Sequence, residues 1–270
     1  MTHANKNKPR QVALIGFGAL GQAIAAELTA GKLPGVSFQG ALLPPGAHQA
    51  SPDRCWNRVE DLLAAEPDLV VEVAGHAALS AHAAACLRGG RDLVVASIGA
   101  LLDPELQGQL WAAAAEGHSR LLLPSGALGG LDYLRAARRV GPVEVCYRGR
   151  KPLAAWKGTA AEKMLDLGSV REATTFFRGH APEAARQFPQ NANVVAALAL
   201  AVGSPDAVSV ELVADPHATR NVHEVDATGP AGNLRIAVEN LPMPGNPKTS
   251  RVTAFSVLDA ISSRLCNGLC

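Results

Sequence analysis

Residues 11–30, QVALIGFGALGQAIAAELTA, constrain the chain more than any other stretch. An apolar, β-rich run from Val12 to Ile15 leads into Gly16, Gly18 and Gly21 in the order G-x-G-x-x-G, and a helical pattern follows. That order describes a βα turn that cradles a dinucleotide. One glycine permits the tight turn, one lets the backbone approach a pyrophosphate, and one allows close helix–strand packing. The pyrophosphate then rests on the helix N-terminus. The implied cofactor is NAD or NADP, with Gly16, Gly18, Ala19, Leu20 and Gly21 as the contacting run. A turn that binds nothing can carry the same glycines, so the following elements must supply the context.

They do so by alternating. Strands are expected over Val36–Leu43, Asp68–Val73, Asp92–Ala96 and Arg120–Leu123, separated by helices over Val59–Glu66, Ala77–Arg88 and from Asp103-Pro104 to Glu116. Strands alternating with helices read as a parallel, doubly wound sheet. From about Gly141 the texture changes. Strand-like stretches over Val143–Tyr147, Glu172–Phe177, Val208–Val213, Asn221–Val225 and Leu234–Val238 are interrupted by helical segments over Ala160–Leu167 and Asn193–Val202. The tail from Lys248 to Leu265 reads as one more helix, with Val252, Phe255, Leu258 and Ser262 on one face, packing back on the first domain. The fold class is therefore α/β: a Rossmann-type doubly wound parallel sheet with a second α+β domain built on a mainly antiparallel open sheet. Residues 1–126 form the first domain, joined by 246–270, and residues 127–245 form the second.

A formal net charge of +1 with 18% charged residues excludes nucleic acid or an anionic membrane as the expected partner. The five cysteines contain no C-x-x-C, and no histidines stand in an H-E-x-x-H pair, so neither a disulfide framework nor a metal site is expected. Cys266 and Cys270, four apart at the tail, read as reduced and incidental, in a cytoplasmic protein. The basic HANKNKPR before the apolar run has the outline of a secretory leader, but the glycines, Gln22 and Glu27 break it. No apolar stretch reaches membrane-spanning length.

Ligands in doubly wound folds lie at the carboxyl ends of the strands. These are Gly75-His76, Ser97-Ile98-Gly99 and Ser125-Gly126-Ala127. The last has small residues that admit a flat ring such as nicotinamide, although an ordinary tight turn reads the same. The second strand ends in Leu42-Leu43-Pro44-Pro45 with no acid for a ribose 2′-hydroxyl, and Arg54 is the first arginine after it, so the choice between NAD and NADP is open. His3 and His48 read as loop residues and His82 as helix surface. His223, on a strand face with Asn221 and Val225, reads either as an acid–base group or as a satisfied strand histidine. Asn193 reads either as a helix N-cap or as a hydrogen-bonding partner for a carboxamide or carboxylate. Thr159 and Glu162 match a capping box, so Thr159 is structural first.

At these residues the chain resembles the L-aspartate dehydrogenase family over nearly its whole length. The likeness lies in Gly16–Gly21, SIGAL (97–101), PSGALGGLD (124–132), RKPLAAWKGTAAE (150–162), FPQNANVVAALALA (188–201), TRNVHEV (219–225) and NPKTSRVTAFSVLDAI (246–261). The resemblance implies that His223 is the active-site histidine and that Ala127 and Asn193 contact NAD or NADP. It also implies a homodimer that oxidises L-aspartate to iminoaspartate, and so to oxaloacetate and ammonia, feeding NAD biosynthesis. Lys157, Lys163, Arg150 and Lys248 are then the cations available for the substrate's two carboxylates. A homoserine dehydrogenase or dihydrodipicolinate reductase type of enzyme, or a non-catalytic nucleotide sensor, stays open on the residues alone.

Overall fold

The computed structural model describes residues 8–47, 52–243 and 246–266. His3, His48 and Cys270 lie outside them. Contacts divide the chain into two units. One comprises Met1–Ser97, Asp103–Pro124 and Ala254–Cys270; the other comprises Ile98–Leu102 and Ser125–Thr253.

The first unit runs β1 (Arg10–Ile15), α1 (Ala19–Thr29), β2 (Val36–Leu42), β3 (Cys55–Trp56), α2 (Val59–Ala64), β4 (Leu69–Glu72), α3 (His76–Arg88), β5 (Leu93–Val95), α4 (Pro104–Glu116) and β6 (Leu121–Leu122). All its strands pair in parallel, in the order β3-β2-β1-β4-β5-β6, which is that of a dinucleotide-binding sheet. Parallel strands are covered on both faces and so read as continuous apolar runs; Val12–Leu14, Leu69–Val71 and Leu93–Val95 are all 0% exposed. The apolar stretch after HANKNKPR is thus a central strand and its helix. Asp103 caps α4 as expected, its Oδ1 accepting from Glu105 N at 2.9 Å with Pro104 at the first position. The two-residue β3 was not anticipated; it is held on β2 by Leu43 N donating to Trp56 O at 2.8 Å.

The second unit contains α5 (Leu131–Val140), β7 (Glu144–Pro152), α6 (Leu153–Trp156), β8 (Thr174–His180), α7 (Ala181–Gln187), α8 (Pro189–Val202), β9 (Val208–Asp215), β10 (Asn221–Gly229), β11 (Gly232–Asn240) and a short antiparallel pair, β12 (Pro242–Met243) with β13 (Asn246–Ser250). Its main sheet has the order β11-β10-β7-β9-β8, antiparallel except for β7 beside β9. Several expectations need correction here. The expected helix over Ala160–Leu167 is a single 3-10 turn, Ala160–Lys163. Thr159 does cap it, accepting from Ala161 N at 3.2 Å, while Glu162 reaches back to Gly158 N at 3.0 Å. Lys248 lies on β13 rather than on the tail helix.

That helix, α9 (Val252–Leu265), belongs to the first unit from Ala254 onward. Its buried face is Ala254, Val257, Leu258 and Ile261, whereas Val252 and Phe255 are 42% and 44% exposed. Arg264 Nε donates to Asp92 Oδ2, anchoring the helix at the start of β5.

Aromatic residues are scarce in the sequence, at 4%, yet four of them meet in the second unit. The β8–β9 register shifts between Thr175 and Phe177. This bulge brings both Phe176 and Phe177 onto Phe188, at centroid separations of 5.6 and 5.2 Å. Trp156 meets Phe176 edge-on at 4.7 Å, a geometry worth about 0.5–1.5 kcal/mol per pair beyond area burial. The cluster lies beside β7, where Lys151 Nζ stands 5.2 Å from the Trp156 ring centroid.

Candidate active site

The glycine turn of the first unit has the form a phosphate needs. Gly16 sits at φ +95° with its missing Cβ aimed at Ala74 Cβ, which an added carbon would meet at 2.6 Å. Gly21 lies against Gly16 O, where a Cβ would come to 2.8 Å. Gly18 differs from both: it precedes α1 with no side-chain cap, and no atom lies within 4 Å of its ideal Cβ position. Two glycines are therefore required by packing, and the third keeps the space in front of the uncapped N–H groups of α1 clear. That is the donor set a pyrophosphate fits. Ala19 is exposed and Leu20 half-buried at the same turn.

A second feature organises the neighbouring strand ends. Glu72, last in β4 and 0% exposed, accepts from Ala74 N (2.7 Å) and Gly75 N (2.8 Å) through Oε1. It also accepts from Ser97 Oγ (2.9 Å) and Ser97 N (3.1 Å). Burial raises its pKa against the pull of the bonds from Gly75, Ser97 and Ala74. One carboxylate thus ties the turn after β4 to the turn after β5. The sequence signal was an acid at the end of the apolar run Leu69–Val71, followed by Val73. Directly after β2 no acid stands: Leu43 is buried, Pro44 and Pro45 are exposed, and Asn57 Nδ2 donates to Leu43 O at 3.1 Å.

The second unit holds a buried polar group of its own. His223 is 3% exposed in β10, paired across the sheet with Gly149 of β7. Its Nδ1 lies 2.8 Å from Tyr147 Oη. Tyr147 and Gly149 share the buried face of β7, and a Cβ on Gly149 would stand 2.6 Å from that hydroxyl. The glycine leaves the room through which the phenol reaches the imidazole. Burial raises the Tyr147 pKa. Burial first, and the Lys151 charge second, push His223 down to about 3, so the imidazole is neutral across the physiological range.

Lys151 continues the same face of β7 and is 3% exposed, its Nζ donating to Asn191 Oδ1 at 2.5 Å. Burial alone pushes its pKa down to about 8. Sequence reasoning passed over Tyr147, Lys151, Asn191 and Glu72. The signal for the first two was the alternation Val145, Tyr147, Gly149, Lys151 in phase with the core.

Asn193 is not an N-cap, because α8 starts at Pro189, four residues earlier, and Phe188 takes the cap position. It is exposed, and its Oδ1 accepts from Gly99 N at 2.9 Å, so SIGAL and FPQNAN meet within the second unit. Ala127 is half-buried, and its carbonyl accepts from Asn240 Nδ2 at 2.9 Å. Arg150 points to the face opposite Lys151, where it pairs with Asp215 (3.3 Å) and Glu224 (3.9 Å). Lys157 and Lys163 are exposed, and the side chain of Lys248 lies outside the described set. His76 opens α3, half-buried, directly after Gly75. Among the described residues no group of three His, Cys, Asp or Glu is arranged to hold a metal ion, and no helix is long and apolar enough to cross a membrane.

Comparison with known proteins separates the possibilities left open by the residues. Residues 132–264 match the family profile described as aspartate dehydrogenase, C-terminal, and residues 16–124 match that described as homoserine dehydrogenase, NAD binding domain. The chain is 43% identical to an L-aspartate dehydrogenase of Ruegeria pomeroyi over 94% of its own length and 92% of the relative's. It is 41% identical to one of Cupriavidus necator, over 94% and 97%. Among solved structures, aspartate dehydrogenase of Thermotoga maritima superposes with a TM-score of 0.75 at 23% identity, covering 97% of this chain and 99% of that one. A hyperthermophilic archaeal homoserine dehydrogenase in complex with NADPH superposes with a TM-score of 0.58 at 14% identity, covering 95% and 98%. These two speak for the fold. With relatives above 40% identity spanning both units, the chain belongs to the L-aspartate dehydrogenase family.

Proposed function

We propose that this chain oxidises L-aspartate at Cα with NAD or NADP, forming iminoaspartate that water converts to oxaloacetate and ammonia. The observation that carries the reading is the 43% identity to an L-aspartate dehydrogenase over 92% of that enzyme's length. The glycine turn fits a pyrophosphate, and the residues directly after β2, Leu43 to Pro45, carry no acid to repel a 2′-phosphate. When bound, the nicotinamide ring accepts the hydride that leaves Cα.

The remaining work is proton handling, and His223 is built for it. A neutral imidazole can accept a proton from the substrate nitrogen or the attacking water and return one to the departing ammonia. In the unliganded protein it is a weak base. A bound dicarboxylate offsets the Lys151 charge and favours the imidazolium, raising its pKa toward neutrality. Tyr147 fixes the ring so that Nε2 is left for the substrate side. We also read Ala127, in the small-residue turn before α5, and Asn193, exposed on α8, as nicotinamide-side contacts. The chain acts as a homodimer in the cytoplasm and supplies iminoaspartate to NAD biosynthesis. The free thiols of Cys55, Cys86, Cys146 and Cys266 are in keeping with a reducing compartment.

The test is NAD(P)H formation with L-aspartate, with L-homoserine and with no amino acid. Turnover with L-aspartate is expected. Turnover confined to L-homoserine, or nucleotide binding with no turnover, overturns the reading.

A further inference from the structure

We propose that Lys151 and Asn191 form an anion subsite that receives one carboxylate of a dicarboxylate substrate. The assignment of that anion to the substrate rests on the aspartate reading above. The subsite itself follows from unmet hydrogen-bonding capacity.

An ammonium has three donors. Lys151 directs one to Asn191 Oδ1 at 2.5 Å, and its Nζ lies 5.2 Å from the Trp156 ring centroid. Among the described residues no carboxylate pairs with it. Asn191 is 1% exposed, and its Nδ2 has no hydrogen-bond partner among the described residues. Both shortfalls are of donors, and they sit on two side chains already joined to each other. Buried lysines are normally paired, and a buried ammonium without an anion is costly. An oxyanion satisfies both groups at once: it gives the lysine its counter-charge and accepts from the Asn191 amide. A second cation or a neutral apolar ligand satisfies neither.

The position suits the reaction. In the β7–β10 register His223 faces Gly149, so Lys151, two residues further on, is its diagonal neighbour on the same face. Diagonal neighbours lie about 7–8 Å apart at Cα, within reach of long side chains. A carboxylate held on Lys151 leaves the rest of a four-carbon substrate beside the imidazole. The aromatic wall of Trp156 and Phe188 keeps the pair away from water, which strengthens it. Since the ammonium titrates near 8, anion binding is expected to weaken as pH rises above that value.

The experiment is calorimetric titration of the full chain with succinate, which carries both carboxylates and no amine, alongside the KM for L-aspartate and the Kd for NADH. Lys151→Met removes the charge. Asn191→Asp keeps the side-chain shape and supplies an internal counter-ion, so it is expected to fold and to raise the Tm at neutral pH. Each variant should weaken succinate binding and raise the aspartate KM by about fiftyfold, as loss of a buried charged hydrogen bond does, with NADH binding unchanged. Succinate affinity and aspartate KM within about threefold of wild type in folded Asn191→Asp overturn the subsite, as does a wild-type chain that binds no succinate. Intact succinate binding without turnover of L-aspartate overturns the proposed reaction and leaves the subsite standing.

Discussion

Tyr147 Oη meets Nδ1 of His223 at 2.8 Å across the space that Gly149 leaves by having no side chain. The hydroxyl is the imidazole's fixed partner, so removing it frees the ring without emptying the core. Tyr147→Phe should lower kcat by about 10- to 100-fold, in the range for lost positioning of an acid–base group, and leave cofactor Kd unchanged. Gly149→Ala places a methyl 2.6 Å from the same oxygen and should cost a similar factor. Steady-state kinetics with fluorescence titration of NADH checks both, and wild-type kcat in Tyr147→Phe would contradict the role.

The glycines of the first turn make opposite predictions. Gly16→Ala forces a left-handed backbone and a 2.6 Å contact with Ala74, and should destabilise folding by about 2 kcal/mol or more. Gly18→Val enters open space, so thermal stability should stay near wild type while NADH affinity falls at least about thirtyfold, a loss of about 2 kcal/mol. Thermal melts and NADH titration separate the two, and equal effects of both substitutions on stability would contradict the division of labour.

The end of β2 predicts how coenzyme preference can be moved. Pro44 is exposed where NAD-specific folds place an acid. Pro44→Asp should weaken NADPH binding at least about tenfold relative to NADH through repulsion of the 2′-phosphate, a difference of about 1.4 kcal/mol. Direct titration with each coenzyme measures it, and an unchanged ratio would show that the ribose lies elsewhere.

His223 also ties stability to acidity. Its pKa is pushed from 6.5 to about 3 in the folded chain, so between those values the unfolded chain holds a proton that the folded chain does not. The folded state therefore has its full stability above pH 6.5 and loses it as pH falls toward 3. Between about pH 7 and pH 5 the loss is on the order of 2 kcal/mol. Urea denaturation of wild type against His223→Gln at the two pH values should show wild type falling further. Parallel losses would mean that this histidine is not held neutral by burial.

Much of this was written plainly in the chain. The parallel sheet could be read because its central strands carry apolar runs, Val12–Ile15, Leu69–Val71 and Leu93–Val95, and the glycine turn because its spacing is that of its chemistry. His223 was visible as a polar residue on a strand face. Lys151 was not, because RKPLAAWK looks like a solvated basic run, and only the strand phase beginning at Val145 turns it inward while Arg150 turns out to Asp215 and Glu224. Helix α5 was overlooked because LDYLRAARRV is rich in arginine and follows two glycines, although Leu131, Leu134 and Ala137 mark its buried face. On the tail helix Leu258 is buried as its spacing predicts, whereas Val252 and Phe255, in the same helical phase but in its first turn, are exposed. Asn193 looked like a cap because Pro189 hides a helix start four residues earlier, at a position where proline is favoured.

The most direct test is turnover of L-aspartate by His223→Ala beside its affinity for NADH. If His223 is the acid–base group, turnover falls by at least about a hundredfold while NADH Kd stays within about twofold of wild type. Near-wild-type turnover in a folded His223→Ala would contradict the account.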